Sequence, residues 1–495
     1  MGEKLLVIDE GTTSTRAMLF APDGACLGTE QRELTQFHPA SGWVEHDAEE
    51  IWRLSLDCAR AMVEQAGGAD RIAAIGITNQ RETILFWSRR TGRALGNAIV
   101  WQDRRTADLC LKLKEAGHES AVQASTGLLL DPYFSASKIT WALEHWPELN
   151  EAGDDLMVGT VESWLVHRLT GGLHVTDATN ASRTGLMNIG TGTWDSGLID
   201  LWSVPFGALP RIVDCAGEFG ATLPEHFGGP IPITGIAGDQ QAASIGQACL
   251  APGDTKATYG TGAFLLANTG RQQRISHHRL LSTIAWQLGG VRTYALEGSV
   301  FVAGSLIKWL RDDLRMIDTA EETEALARSV QSSLGVTIVP AHSGLGAPYW
   351  EPQARGSISG LSFASGRAHL ARAALEAMSY QTHDLMTAFA SDGAAWEMLK
   401  IDGGMAANDW LAQDLADMTG LGVERPGFVE TTALGAAMLA GLGCGMFASL
   451  QEAAGMRGAV RRFEPGMPED QRARRLAGWR QAVGAVLSAA RITRS

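Results

Sequence analysis

Two stretches half a chain apart share one design. LLVIDEGTTSTRAMLF (residues 5–20) and ATYGTGAFLLANTG (residues 257–270) each read as a buried strand, a Gly-Thr turn and a second strand. Two α/β halves of related design, facing one another, leave a cleft in which a nucleotide and a small substrate would meet. Around these units, glycines and short β-branched runs alternate with Ala/Leu-rich stretches of helical period, the pattern of an α/β protein. IAAIGITN (72–79), ILFW (84–87) and AIVW (98–101) read as strands, and residues 49–65 as a helix. Later come a long helix over 369–389, a strand MLKID (398–402) and a helix over 408–419. On the long helix Leu370, Ala374, Met378 and Leu385 fall near one face and read as core. The sequence PGD at Pro252-Gly253 breaks a helix-like run, so the expected domains are 1–251 and 252–495. The tail from Glu469 reads as a terminal surface helix.

Composition narrows the function. The 495 residues are 45% hydrophobic and 19% charged, with a formal net charge of −14. That acidity argues against a nucleic-acid or anionic-membrane partner, so any phosphate-bearing ligand needs a local positive or amide-rich site. No apolar run approaches the roughly 18 residues of a membrane span. Asp9 and Glu10 interrupt the N-terminal run too early for a signal-peptide core, and Leu6 stands where myristoylation at Gly2 needs Ser or Thr. The six scattered cysteines lack any C-x-x-C and are expected to be buried, reduced thiols of a cytoplasmic protein. His277-His278 has no third ligand at metal spacing and reads as a solvated loop.

Five runs carry polar groups suited to chemistry. In the first turn, Gly11, Thr12, Thr13 and Ser14 place small residues where backbone N–H groups converge on phosphate oxygens, with Arg16 adding positive charge. Asp9 at the strand end suits Mg²⁺, which prefers carboxylate and water oxygens. A plain hairpin turn would use the same residues. TYGTGAF offers a second such turn, with the same alternative. Gly403-Gly404 in IDGGMAAND allows a flat ring to lie against main chain, or makes a tight strand-to-helix turn. Asp239 in AGDQQAA stands at a helix start, either as an N-cap or as a base within reach of a hydroxyl, with Gln240 beside it. Arg81-Glu82 lies between two apolar strands, at a strand end facing the cleft. A guanidinium donates to hydroxyls and a carboxylate accepts from them, which suits a polyol. Trp101 and Tyr133 would form walls, or pack as core. No G-x-x-x-x-G-K-[ST] run is present, so a P-loop does not hold the nucleotide.

In order and at comparable spacing, IDEGTTSTR, GITNQRET, IVWQDRR, DPYFSASK, TNASRTGL, GIAGDQQAA, TYGTGAF, ALEGSVF, GLGAPYWEPQARG and DGGMAAN resemble the FGGY carbohydrate kinases. The resemblance runs from about Leu5 to Gly441, and NQRET with WQ, DPYFS and GDQQAA together resemble the glycerol-specific branch. It implies an α/β fold of two actin-like (ribonuclease H-like) ATPase domains flanking a catalytic cleft. It also implies a homo-oligomer (dimer or tetramer), and transfer of the γ-phosphate of Mg²⁺-bound ATP to a terminal hydroxyl of glycerol. Carried over, the glycerol contacts are Arg81, Glu82, Trp101, Tyr133, Asp239, Gln240 and Phe264, with Asp239 as base. Thr12, Thr13, Ser14 and Arg16 resemble phosphate-side contacts, as do Thr261 and Gly262. Gly304, Gly404 and Asn408 resemble nucleotide contacts, and Asp9 the residue near Mg²⁺.

Three departures follow. Lys308 stands where many members of the glycerol branch carry Gln, and a Lys there reaches toward phosphate. EHFGGPIPITG lacks the Gly-Lys-Gly-Gly-Thr-Arg loop that some bacterial members use for fructose 1,6-bisphosphate, so no inhibition by that sugar is expected. His226-Phe227 reads as a solvated loop rather than a phosphorylated segment. Two other functions fit parts of the pattern: an FGGY kinase for erythritol or xylulose, and an actin- or chaperone-like ATP-binding module without small-molecule chemistry.

Overall fold

The computed structural model describes residues 2–492; the outer domain ends at residues 1 and 493–495 lie outside these. Its backbone is organised by two mixed sheets of matching plan. In the first, Lys4–Glu10 is central, with antiparallel Ser14–Phe20 and Cys26–Glu33 on one side and parallel Ile72–Asn79 and Ile233–Gly238 on the other. In the second, Asp254–Tyr259 is central. Antiparallel Ala263–Gly270 and Val291–Val300 lie on one side, parallel Met398–Asp402 and Val423–Pro426 on the other. Leu281–Leu288 and Val460–Phe463 extend its two edges.

The central strands are apolar on both faces (Leu5, Leu6, Val7 and Ile8 are buried), as strands covered by helices on each side must be. One covering helix, Ala48–Ala66, starts where Asp47 accepts from the Glu49 N–H. It stops at Gly67, whose φ of 94° and bond to Glu64 O form a left-handed cap. The two halves meet through the helices Asp239–Gly246 and Thr431–Gly443, each following the last parallel strand of its sheet. A Cβ on Gly435 would strike the Ala242 carbonyl and one on Gly246 the Thr431 carbonyl, so glycine sets how closely these helices approach. Thr431–Gly443 is buried almost throughout, in keeping with its uniformly apolar sequence.

Register fixes where the chemistry sits. Glu10 pairs with Asn79, and Asn79 with Gly238, so Gly11, Gln80-Arg81 and Asp239 leave the first sheet side by side at one edge. In the second sheet Thr258 pairs with Asp402, bringing Gly260 and Gly403 to the equivalent edge. Ligands of open α/β sheets bind at such carboxyl-terminal edges.

Several expectations need correction. AIVW is a strand only at Ala98–Ile99, because Val100 and Trp101 leave the sheet to bond Val44 O and Thr83 Oγ1. Cys26 and Cys444 are exposed, while the other four cysteines are buried and all six are free. His226 is not a solvated loop residue: it lies on the turn of helix Pro224–Phe227, bonded to Arg168 O and set edge-on to Trp52. The tail helix Glu469–Ile492 is not purely superficial, since Leu476, Trp479, Val483 and Val486 are buried. No described helix is long and apolar enough to cross a membrane.

Candidate active site

Asp239 is the first residue of its helix, and Gly238, not Asp239, is the N-cap. The cap alternative therefore fails for a simple reason: the carboxylate accepts from its neighbour's Gln240 N–H at 2.7 Å rather than from the next turn. Its side chain is 32% exposed, with Arg81 Nε 3.2 Å from Oδ1. Burial pushes the Asp239 carboxyl above its ordinary range, against the opposing pull of Arg81 and Lys256. A partly desolvated carboxylate with a raised pKa is a better proton acceptor than a solvated one.

Arg81 and Glu82 are both buried, and they are not each other's main partners: Arg81 Nε lies 3.9 Å from Glu82 Oε1. Arg81 donates to Glu297 at 2.6 and 3.1 Å and to Gln241 at 3.2 Å. Glu82 accepts from Arg183 Nε at 2.7 Å. Glu82 also holds a left-handed φ of 63°, a conformation that costs a non-glycine residue about 1–3 kcal/mol and gathers at functional sites. Burial alone would raise Glu297, but Arg183 and Arg81 hold it down to about 2. Burial pushes Glu82 up, only partly countered by the same two arginines.

Gln240 is oriented by a buried lysine. Lys256 Nζ donates to Gln240 Oε1. Because a lysine only donates, the Gln240 amide nitrogen must turn the other way, toward Asp239 Oδ2 at 3.3 Å. Three aromatic rings border this polar set. Trp101 meets Tyr133 edge-on at 5.6 Å and Phe264, from the second half, at 6.4 Å. Lys138 Nζ fixes the DPYF turn by donating to Pro132 O at 2.5 Å and Tyr133 O at 2.9 Å. The Trp101 indole donates to Thr12 Oγ1 at 2.9 Å, tying the aromatic wall to the first Gly-Thr turn.

That turn closes through Gly11 N–H to Ser14 O at 3.0 Å, with Gln80 Nε2 donating to Gly11 O. Thr13 is exposed there, while Ser14 Oγ accepts from Gln31. Arg16 bridges two carboxylates, Asp9 at 2.7 Å and Glu430 at 2.6 Å, so its charge is already matched. Burial pushes Asp9 above its usual range, opposed by Arg16. The second turn borders a cavity of about 480 Å³, within the usual range for small-molecule sites. Thr261, Gly304, Lys308, Gly404 and Asn408 all line it. A Cβ on Gly404 would meet nothing within 4 Å, leaving a bare backbone surface. Gly262 does not line the cavity; it faces strand Val291–Val300, where a Cβ would lie 2.6 Å from Val300 O. Asn408 serves the fold as well, as N-cap accepting from Leu411 N–H.

Arg183, Glu297 and Lys256 were not among the sequence-predicted site residues. The signal for Glu297 is a lone charge inside the largely apolar run ALEGSVFV, which cannot be buried unless it finds a partner; Lys256 in DTKATY and Arg183 in NASRTG lie in polar runs that carry no such signal.

The family models for the N- and C-terminal domains of the FGGY family of carbohydrate kinases match residues 4–246 and 255–444. A glycerol kinase of Methylobacterium nodulans is 54% identical over 98% of this chain and 99% of that protein. One of Xanthobacter autotrophicus is 55% identical over the same shares. The crystal structure of Plasmodium falciparum glycerol kinase with ADP superposes with a TM-score of 0.93 at 35% identity, covering 98% of this chain and 99% of that one. The two-domain α/β architecture is that of these kinases, and the chain belongs to the FGGY family of carbohydrate kinases.

Proposed function

We propose that the chain transfers the γ-phosphoryl group of ATP to a terminal hydroxyl of glycerol, giving sn-glycerol 3-phosphate and ADP. The observation that carries this is the setting of Asp239: a partly exposed carboxylate beside Arg81 and Gln240, at the strand edge facing the second half. The names of relatives at 54% and 55% identity support the same substrate.

In this reading Arg81, Glu82 and Gln240 hold the hydroxyls, while Trp101, Tyr133 and Phe264 limit the length of the carbon chain. Asp239 accepts the proton of the attacking hydroxyl as its oxygen bonds to the γ-phosphorus and the bond to the β-phosphate oxygen breaks. The adenine side of ATP occupies the cavity over Gly404 and Gly304, with Lys308 and Thr261 toward the phosphates. The phosphates lie between the two Gly-Thr turns, where positioning and charge neutralisation do most of the work of phosphoryl transfer. The residues fit a Mg²⁺ carried by those phosphates: the buried Asp9 carboxylate stands at the strand end before the first turn and engages Arg16 through Oδ2. Asp9 would hold the ion directly or through water, and the ion would neutralise charge on the phosphate oxygens. The domain boundary is placed between residues 251 and 252, in the turn joining the interdomain helix to the second central strand.

The test is a coupled assay of ADP release with a substrate panel. Glycerol is expected to exceed erythritol and xylulose by about tenfold or more in kcat/KM, the discrimination a pocket gains from excluding extra carbons. Equal or faster turnover of either competitor would replace glycerol with that substrate. ADP release independent of any polyol would instead point to an ATP-driven interaction module.

A further inference from the structure

The substrate-facing Arg81 is oriented only in part by its own half of the molecule. Both of its Nη atoms donate to Glu297, at 2.6 and 3.1 Å, and Nη1 also reaches Gln241 Oε1. Arg183 Nη2 donates to the same Glu297 carboxylate at 2.9 Å, while its Nε donates to Glu82 at 2.7 Å. Arg81 and Glu82 follow strand Ile72–Asn79, and Arg183 follows helix Ala178–Ala181, all in the first half. Glu297 lies on Val291–Val300 of the second sheet. A single carboxylate from the nucleotide half is thus wedged between two guanidiniums of the polyol half.

The wedge is dry: side-chain exposure is 1% for Glu297, 2% for Arg81 and 0% for Arg183. Hydrogen bonds between ionised groups are strong there, and removing one partner leaves a buried charge without compensation. The bonding also dictates direction. With both Nη atoms of Arg81 committed to Glu297 and Gln241, Nε is the nitrogen left for Asp239, 3.2 Å away. Arg183, held at one end by Glu297, fixes Glu82 at the other.

We propose that Glu297 is a positioning residue that aims Arg81 at Asp239 and, through Arg183, sets Glu82, so that the polyol grip is complete only while the second half is docked against the first. The proposal rests on the glycerol-kinase reading. It makes glycerol affinity a property of the interface between halves.

The experiment is Glu297→Gln, which keeps the size but removes the charge and turns an amide N–H₂ toward a guanidinium. Glycerol KM is expected to rise about tenfold or more, the effect of losing a charged hydrogen bond. ATP KM should stay within about twofold, a split that general destabilisation would not produce. The thermal shift with glycerol should vanish, while that with a non-hydrolysable ATP analogue persists. A folded variant with glycerol KM within about twofold of wild type overturns the proposal. Should Glu297→Gln fail to accumulate folded, Arg183→Lys keeps the charge and removes the planar fork. Raised glycerol KM in that variant supports the proposal, and unchanged KM overturns it. Wild type lacking glycerol-dependent ADP release would overturn the glycerol reading and this one together; active wild type with unmoved variants overturns this one alone.

Discussion

The two sheets share strand order and pairing sense, yet they present opposite chemistry at the same edge. Where the first sheet ends its parallel strands, Arg81, Glu82 and Asp239 emerge among buried charges. Where the second ends its equivalent strands, Gly403 and Gly404 emerge beside an open cavity. Gly403 adopts φ 86°, and a Cβ there would lie 2.6 Å from Tyr259 O, so glycine is needed for the chain to turn. One plan therefore yields a cluster of buried charges at one edge and a bare glycine surface beside a cavity at the other. The fold supplies the edge, and the residues just beyond the strand ends decide the ligand.

If labour is divided in this way, a substitution in one half should move one substrate's parameters and spare the other's. The largest effect is expected from Asp239→Asn, with turnover falling by about 10²–10⁴-fold, the usual worth of a general base. ATP KM should hardly change. A variant within about tenfold of wild type would remove Asp239 from the role of base. Steady-state kinetics with both substrates varied measures both parts.

The second half offers the converse. Gly404→Val adds bulk where a Cβ meets open space, so the backbone is not forced to move, but the branched side chain enters the cavity. ATP KM is expected to rise about tenfold, equivalent to about 1.4 kcal/mol, with glycerol KM unchanged. A matching rise in both would show that the halves are not independent at this point. Phe264 is the exception built into the division, a second-half side chain that closes the first half's aromatic wall at Trp101. Phe264→Ala should raise kcat/KM for erythritol relative to glycerol by about tenfold, since a pocket distinguishes one carbon by that order. An unaltered ratio would assign chain-length selection to Trp101 and Tyr133.

Much of this division is visible in the linear sequence because turns and strand ends are local. Strand Ile72–Asn79 has the bounds that its β-branched run predicts, and the Gly-Thr turns fall directly after strands Lys4–Glu10 and Asp254–Tyr259. The partners of Arg81 are different. Glu297 lies 216 residues away, and Arg183 is 101 residues from Glu82. The sequence places Arg81 and Glu82 together at a strand end facing the cleft but not their partners, and the left-handed turn at Glu82 sends the two side chains to separate ones. The cap reading of Asp239 failed by one residue, because strand Ile233–Gly238 runs directly into the helix and leaves Gly238 as cap. Such outcomes depend on which strands become neighbours, and periodicity does not encode that.

The smallest expected effect concerns stability, and it lies in the first half. Burial pushes two first-half carboxyls into the neutral range, Glu10 to about 8 and Glu162 to about 7. Glu162 accepts from Thr160 and Thr176 at 2.6 Å through Oε1, while its buried Oε2 has no partner. A carboxyl with a raised folded pKa binds its proton more tightly folded than unfolded. Its contribution is therefore present at low pH and lost as pH rises from its ordinary value, 4.5, through about 7. Glu162→Gln removes this titration while keeping a neutral group of the same shape. The loss of thermal stability between pH 5 and pH 8 should shrink by roughly 1 kcal/mol or more, about 2–4 °C in Tm for a domain of this size. Scanning calorimetry of both proteins at the two pH values reads it directly. An unchanged slope would mean that Glu162 is ionised in the folded protein, and that its two threonine donors outweigh the burial.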